Sequence, residues 1–251
     1  MIRVALIGTG NLAVHILKAL ENHDGVTCVQ WIGRKRSPSL QSSTPYFSKF
    51  QKDIKTDVCL IAVSDDYIKI VAQQFSDTKI LVAHTAGAVD LSCLEPIKRR
   101  GVFYPLQSFL KNIPVNWEEI PICVTAENEA DLKILESLAK CLSNEIYVLT
   151  ENQRLHMHTA AVFANNFCNH LLGISQSICK KANVPFSVLK PLVEETFNRT
   201  FKHSALKLQT GPAKRNNLKT QEKHLTLLSD KEVDLYQSLS HSILNTHKNE
   251  L

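Results

Sequence analysis

The segment Gly8-Thr9-Gly10-Asn11-Leu12-Ala13 most constrains how this chain can fold. It follows an apolar run, Ile2 to Ile7, that reads as a strand buried on both faces. It opens a stretch from Asn11 to Glu21 in which Leu12, His15, Ile16, Ala19 and Leu20 recur at helical spacing. Strand, GxGxxA turn and helix in that order form the fingerprint of a dinucleotide-binding unit. The first glycine makes the tight turn. The second lets a pyrophosphate approach the backbone, and the small Ala13 lets helix and strand pack closely. Amides at the helix N-terminus then face the phosphates. Gly8, Thr9, Gly10, Asn11 and Leu12 are therefore candidate cofactor contacts, with a plain strand–helix turn as the alternative.

The pattern continues as alternating strands and helices. Val26 to Ile32, Val58 to Val63, Ile80 to Ala83, Val102 to Tyr104, Pro121 to Val124 and Ile146 to Leu149 read as strands. Helices are expected from Ser64-Asp65-Asp66 to about Gln74, from Asp90 to Arg99 and from Glu129 to Cys141. Such alternation implies right-handed crossovers and a doubly wound, mostly parallel, Rossmann-like α/β sheet. The pattern changes at Thr150, where Thr150-Glu151-Asn152-Gln153 fits a capping box. From there to about Ala182 no Pro intervenes, and one helix of about 30 residues, roughly 45 Å, is expected. Further helices are expected at Ser187–Thr200, Lys214–Ser229 and Lys231–His247. The expected domains are thus residues 1–150, α/β, and residues 151–251, all helical.

Charge and cysteines bound the function. The net charge is +5. Residues 1–150 hold sixteen basic and sixteen acidic residues, whereas 151–251 hold thirteen and eight, so the excess lies in the helical part. The seven cysteines are odd in number and show no CxxC or zinc spacing, which argues against a disulfide framework or a cysteine-based metal site. No apolar run reaches the roughly 18 residues of a membrane span, and the start lacks a basic leader and cleavage site. A cytoplasmic protein that binds no membrane and no metal is the expectation. Nucleic-acid binding would need an aromatic-flanked basic patch, and none stands out.

The end of the second strand bears on the choice between NAD and NADP. An NAD binder places an acid there, yet no acidic residue occurs between Gly25 and Lys52. The strand ends Ile32-Gly33-Arg34-Lys35-Arg36-Ser37, and guanidinium and hydroxyl groups suit a 2′-phosphate. NADP is the expected cofactor, with Arg34 as first contact and Lys35, Arg36 and Ser37 assisting; a solvated basic loop is the alternative. Ligands of doubly wound sheets lie beyond the carboxyl ends of the strands. Val63 and Ser64, His84 with Gly87, and Gln107 with Ser108 stand at such ends. His84 suits proton transfer or orientation of a carbonyl, or is a buried structural histidine. Gly87 is expected to serve a turn.

The long helix carries polar groups among apolar ones: Arg154, His156, His158, Asn165, Asn166, Asn169 and His170. These form either a buried network or a substrate-facing stripe. Farther on, Gln209-Thr210-Gly211-Pro212 precedes Lys214 and Arg215, placed here in a first helical turn. Basic residues oppose the dipole there and point to an anion, unless the loop is an ordinary charged surface.

Together these residues carry a resemblance across nearly the full length. The segments are Gly8-Thr9-Gly10-Asn11, His84-Thr85-Ala86-Gly87, Tyr104-Pro105-Leu106-Gln107-Ser108-Phe109, His158 to Phe167, and Gln209-Thr210-Gly211-Pro212-Ala213. The chain resembles a bacterial NADP-oxidoreductase-like family of unassigned substrate. That family has a Rossmann-like N-terminal domain and a helical C-terminal domain similar to that of 6-phosphogluconate dehydrogenase. More distantly it resembles pyrroline-5-carboxylate reductase and the β-hydroxyacid dehydrogenases. The resemblance implies a homodimer joined through the helical domains and an active site in the interdomain cleft. One departure stands out: if Asn166 matches the β-hydroxyacid dehydrogenase asparagine, the catalytic lysine position is Val162, and no Lys occurs on this helix before Lys180. His158 or His84 would then handle the proton, since imidazole titrates near the operating pH.

The expectation from sequence is an NADP(H)-dependent oxidoreductase acting on a small anionic imine, keto or hydroxy acid. His158, Asn166, His84 and Gln107 are the catalytic candidates, and Gln209, Thr210 and Arg215 the substrate contacts. The alternative is a non-catalytic NADP-binding sensor or partner-binding protein.

Overall fold

The computed structural model describes residues 1–34 and 42–248. The chain divides into two compact units, Met1–Val162 and Phe163–Leu251.

The first unit is built on one sheet. Its strands are β1 (Ile2–Ile7), β2 (Val26–Ile32), β3 (Tyr46–Phe47), β4 (Val58–Ile61), β5 (Leu81–His84), β6 (Arg100–Pro105), β7 (Ile122–Ala126) and β8 (Ile146–Val148). Their spatial order is β3-β2-β1-β4-β5-β6-β7-β8, so the winding direction reverses between β1 and β4. All neighbours pair in parallel except β6 with β7. Only a short 3-10 turn, Trp117–Glu119, lies between those two strands. Without a crossover helix the chain returns antiparallel.

The apolar runs are continuous because both sheet faces are covered. Side chains alternate along a strand. Val4, Leu6, Leu60 and Ala83 meet Ile16, Leu17 and Leu20 of α1 (Asn11–Glu21) and Leu135 and Leu138 of α3 (Glu129–Lys140). Ala5, Ile7, Cys59, Ile61 and Val82 meet Ile68 of α2 (Asp65–Ala72), together with Phe75, Leu91 and Leu94.

Three local expectations change. The helix expected from Asp90 to Arg99 is a single 3-10 turn, Leu91–Leu94. Pro96 has no N–H and disfavours helix in the residue before it, and Glu95 is extended. The β3 edge strand was not expected, since two residues carry no readable period. The unit boundary lies at Val162 rather than Thr150. The capping box of Thr150 and Gln153 does open α4 (Glu151–Ala161), but α4 is bound to the sheet unit. Its buried Arg154 donates to the Ala86 and Gly87 carbonyls at 3.1 and 2.8 Å, and Glu151 accepts the Leu91 amide.

The expected helix of about 30 residues is present with an interruption. A π-helical turn, Val162–Phe167, separates α4 from α5 (Cys168–Lys181). The second unit continues with α6 (Lys190–Thr200), α7 (Ala205–Leu208), α8 (Leu218–Leu225) and α9 (Asp230–Thr246). The short α7 was not expected. Helix α8 starts later than the sequence reading placed it, because Gly211 and Asn216 take positive φ and Asn217 caps Thr220. Lys214 and Arg215 therefore sit in turns ahead of the helix, and the dipole argument made for them falls away. No described helix is long and apolar enough to cross a membrane.

Two stability predictions follow from the sheet. Leu60 is fully buried between the strands and α1. Leu60→Ala is expected to destabilise the first unit by about 2–5 kcal/mol. Both tryptophans, Trp31 and Trp117, lie in that unit, so fluorescence-monitored urea unfolding reads it directly; a loss under about 1 kcal/mol would contradict the packing.

His84 ends β5 fully buried, and desolvation, followed by the Arg154 charge, pushes its pKa down from 6.5 to about 3. The unfolded chain therefore takes up a proton below pH 6.5 that the folded state refuses. Stability is complete above that pH and falls as the pH drops toward 3, with a slope of at most about 1.4 kcal/mol per pH unit. Between pH 6.5 and 5, above the carboxylate range, His84→Gln is expected to flatten the slope; an unchanged slope would remove His84 as its source.

Candidate functional site

The phosphate loop is tied down from its neighbours. The Gly8 amide donates to the Ile32 carbonyl at 2.9 Å, and the buried Trp31 indole donates to the Gly8 carbonyl at 2.7 Å. Gly8 has φ +132°, and a Cβ there would collide with the Ala62 carbonyl at the end of β4. Glycine is thus required twice over, by conformation and by space. Ala13 is fully buried beside it. Gly10 is different: a Cβ on it meets nothing within 4 Å. It stands at the N-cap of α1, where no side chain caps the helix and no acid lies in the first turn. The first amides of α1 thus lack a side-chain cap and face open space, which is what a phosphate needs.

A cleft of about 730 Å³ opens beside this loop. Thr9, Asn11 and Leu12 line it with Val63 and Ser64 from the end of β4. Arg34 lines it as well, its guanidinium 5.5 Å from the Tyr67 ring centre, within cation–π range. Among the described residues that line it there is no Asp or Glu. Gly33 is needed where β2 ends, since a Cβ there would strike the Thr9 methyl. Lys35, Arg36 and Ser37 lie outside the described residues. By donor set and space, these residues fit a dinucleotide with a 2′-phosphate.

The ends of β5 and β6 hold a second cluster. His84 does not line the cleft; its Nδ1 accepts the Ala86 amide at 3.2 Å, so the ring proton sits on Nε2. Desolvation, followed by the Arg154 charge, holds its pKa near 3, which favours the neutral ring. Arg154 is buried, and burial lowers its pKa while Glu151 and Asp90 oppose that. The Tyr104 hydroxyl lies 3.0 Å from His158 Nδ1, with the rings edge to face at 5.9 Å. Burial pushes the Tyr104 phenol up to about 12. A Cβ on Gly87 would lie 2.5 Å from His158 Nδ1 and 2.7 Å from Tyr104 Cζ. Its φ is not in the positive range, so Gly87 makes room for this pair rather than a special turn. Gln107 is exposed and accepts the Ser108 amide at 2.8 Å. The loop after it folds back on α1, where Asn11 donates to Phe109 O at 3.2 Å.

In the second unit, Asn165 and Asn166 are exposed on the π-helical turn. Gln209 and Thr210 adjoin the turns that hold Arg215; the Gln209 amide donates to Thr210 O at 2.8 Å, and the Arg215 amide to Gly211 O at 3.4 Å. The described residues contain no cluster able to hold a metal ion.

Sequence reasoning missed Trp31, Tyr67 and Tyr104, and named Arg154 without its partners. The first two carry no spacing signal. Tyr104 stood within a quoted segment, and Arg154 stood one turn before His158, but neither partner was readable without the fold.

Comparison with known proteins places the chain. A family model described as a domain of unknown function (DUF2520) matches residues 120–243. No curated protein matches. The NADP oxidoreductase-like protein BF3122 from Bacteroides fragilis is 32% identical, with 97% of this chain and 98% of that one covered and a TM-score of 0.87. Protein TM1727 from Thermotoga maritima is 21% identical, with 98% and 99% covered and a TM-score of 0.69. A pyrroline carboxylate reductase from Plasmodium falciparum, solved with NADP bound, is 13% identical, with 98% and 100% covered and a TM-score of 0.60. The last two show a common fold. The level of identity to BF3122 over the whole length shows more: this chain belongs to the NADP oxidoreductase-like family of which BF3122 is a member.

Proposed function

We propose that this protein is an NADP(H)-dependent oxidoreductase that acts on a small anionic substrate. The observation that carries the reading is the uncapped start of α1 beside Gly10, in a cleft with Arg34 and no carboxylate. Whole-length identity to an NADP oxidoreductase-like protein and the fold shared with an NADP-bound reductase support it. Gly8, Thr9, Gly10, Asn11 and Leu12 hold the pyrophosphate, and Val63 and Ser64 border it. Arg34 holds the 2′-phosphate, with Lys35, Arg36 and Ser37 assigned to the same group from sequence. When bound, the cofactor supplies or accepts a hydride. The chain's own part is to orient the ligands and move the accompanying proton. His158 takes the proton role at Nε2, because Nδ1 is engaged by Tyr104. His84 serves as a neutral structural histidine under the Ala86 amide. From the sequence alone, Gln107 is assigned as a polar contact in the sheet unit, and Asn166, Gln209, Thr210 and Arg215 as polar and substrate contacts in the helical unit.

The missing lysine at Val162 favours a second reading, a cofactor-binding sensor without turnover. NADPH oxidation that depends on His158 would exclude it.

The protein is further proposed to be a cytoplasmic homodimer joined through the helical unit. Within that unit only Ala213 and His247, among the described residues, are buried in the single chain. Phe163, Leu192 and Phe201 are 65%, 66% and 87% exposed. A helical unit with so much uncovered apolar surface lacks its own core, and a second copy of this chain is the occupant proposed for it, since a twofold pair buries the same patch on both partners.

Two measurements test these readings. Titration of NADPH fluorescence is expected to saturate at micromolar concentrations, and Arg34→Ala should weaken NADPH by roughly 10–100-fold while leaving NADH little changed. Equal losses would refute the 2′-phosphate assignment, and absence of saturable binding would sink the cofactor reading. Light scattering is expected to give the mass of a dimer, and the pair Leu192→Glu with Phe201→Glu should return the monomer; a monomeric native protein contradicts the assembly.

A further inference from the structure

The Tyr104–His158 pair has a polarity that bears on what the protein recognises. His158 lies on α4, one turn after Arg154, and is half-buried. Arg154 fixes the Ala86 and Gly87 carbonyls, and Gly87 in turn lies against the Nδ1 and Cγ edge of the His158 ring. The same glycine lies under Tyr104 Cζ. The ring is therefore held along one edge, and the edge bearing Nε2 faces away from Gly87. The hydrogen bond of the ring to Tyr104 is made at Nδ1.

The direction of the Tyr104–His158 bond follows from the donors available. A phenol hydroxyl in a half-buried site is a strong donor, and leaving it unmatched costs about 1–3 kcal/mol. His158 Nδ1 is the partner that Tyr104 Oη has, at 3.0 Å. An unprotonated imidazole nitrogen accepts such a hydrogen well. The reverse arrangement, with Nδ1–H donating to Oη, would leave the phenol hydrogen without an acceptor among the described residues. Tyr104 is thus the donor, Nδ1 the acceptor, and the ring hydrogen of neutral His158 sits on Nε2.

We propose that Tyr104 is a positioning residue that locks His158 in the Nε2–H tautomer, and that this outward N–H selects a substrate whose reacting group is a hydrogen-bond acceptor: a carbonyl oxygen, as in a 2-oxo acid, rather than a protonated imine. A protonated imine presents its own N–H and would meet Nε2–H donor to donor, leaving both hydrogens unmatched. A carbonyl oxygen accepts the hydrogen bond and is polarised by it, as a neutral imidazole can do. When a hydride is added to the carbonyl carbon, the oxygen would take the Nε2 proton, Nδ1 would take the Tyr104 hydroxyl proton across their hydrogen bond, and the phenolate would regain a proton from solvent. The assignment narrows the imine, keto or hydroxy acid substrates named above and rests on the oxidoreductase reading. It also separates this chain from the pyrroline carboxylate reductases that share its fold.

The deciding experiment needs no substrate. Protein labelled with 15N at histidine is examined by NMR above the imidazole titration range, with the His158 signals assigned from their loss in His158→Gln. The expected pattern is the Nε2–H tautomer in the native protein and a mixture of tautomers in Tyr104→Phe, with tryptophan fluorescence and NADPH affinity unchanged. An Nδ1–H tautomer in the native protein, or a tautomer indifferent to Tyr104→Phe, overturns the proposal. Gly87→Ala supplies an independent perturbation, since its methyl must displace the His158 edge and shift the same signals. In a second arm, NADPH oxidation is followed with 2-oxo acids and with 1-pyrroline-5-carboxylate. Reduction of a 2-oxo acid, slowed roughly three- to tenfold in Tyr104→Phe, supports the assignment. Reduction of the imine that depends on His158 overturns it. Failure of NADPH to bind would instead refute the oxidoreductase reading while the tautomer result stands.

Discussion

The sheet unit depends on how closely β1 and β4 come together at their carboxyl ends. Gly8 stands against the Ala62 carbonyl with no room for a single methyl group. At this point the winding direction of the sheet reverses, which opens a crevice between the connections on either side. The absence of a side chain at Gly8 lets the backbone turn at positive φ and start α1 directly over the strand ends. Trp31, fully buried in β2, fastens that turn with its indole N–H on the Gly8 carbonyl. The loop is thus rigid before any ligand arrives, so less ordering remains to be done on binding.

A second constraint lies two strands away. Arg154 brings a cation into the interior, and a buried charge is costly unless its donors are matched. Two of them reach the Ala86 and Gly87 carbonyls, and Glu151 provides a partner at 3.8 Å. This arrangement fastens α4 to the end of β5. Burial above all, and then the same cation, holds the neighbouring His84 neutral. Gly87 then serves contact rather than turning: its missing side chain leaves the space that Tyr104 and His158 fill. One buried arginine therefore links the position of a helix to the setting of His158, and adds to the burial that keeps His84 neutral.

Much of the sheet unit was legible. Buried parallel strands announce themselves as unbroken apolar runs, and Ile2–Ile7, Asn11–Glu21 and Val26–Ile32 were placed with the bounds that the structure shows. Elements failed where a local rule competed with the period. Pro96 cut short the apolar pattern after Asp90, and β3 was too short to have a period at all. In the helical unit, Gly211 and Asn216 delayed α8 by their backbone conformations, which composition alone does not disclose. At the site, the glycine loop and Arg34 were readable because their spacing follows from the chemistry of phosphates. The pairing of Tyr104 with His158 was not, since it joins residues 54 positions apart.

The sequence by itself determined the α/β class, the place of the phosphate loop and the lack of an acid after β2. Each of these follows from residues adjacent along the chain, where spacing and conformational preference are enough. Only the tertiary structure decided which polar groups are buried and which nitrogen of an imidazole is engaged. It placed His84 out of the cleft, drew α4 into the first unit and set Tyr104 against His158. Burial and hydrogen-bond partnership depend on strands and helices brought together from distant parts of the chain, and no local pattern encodes them.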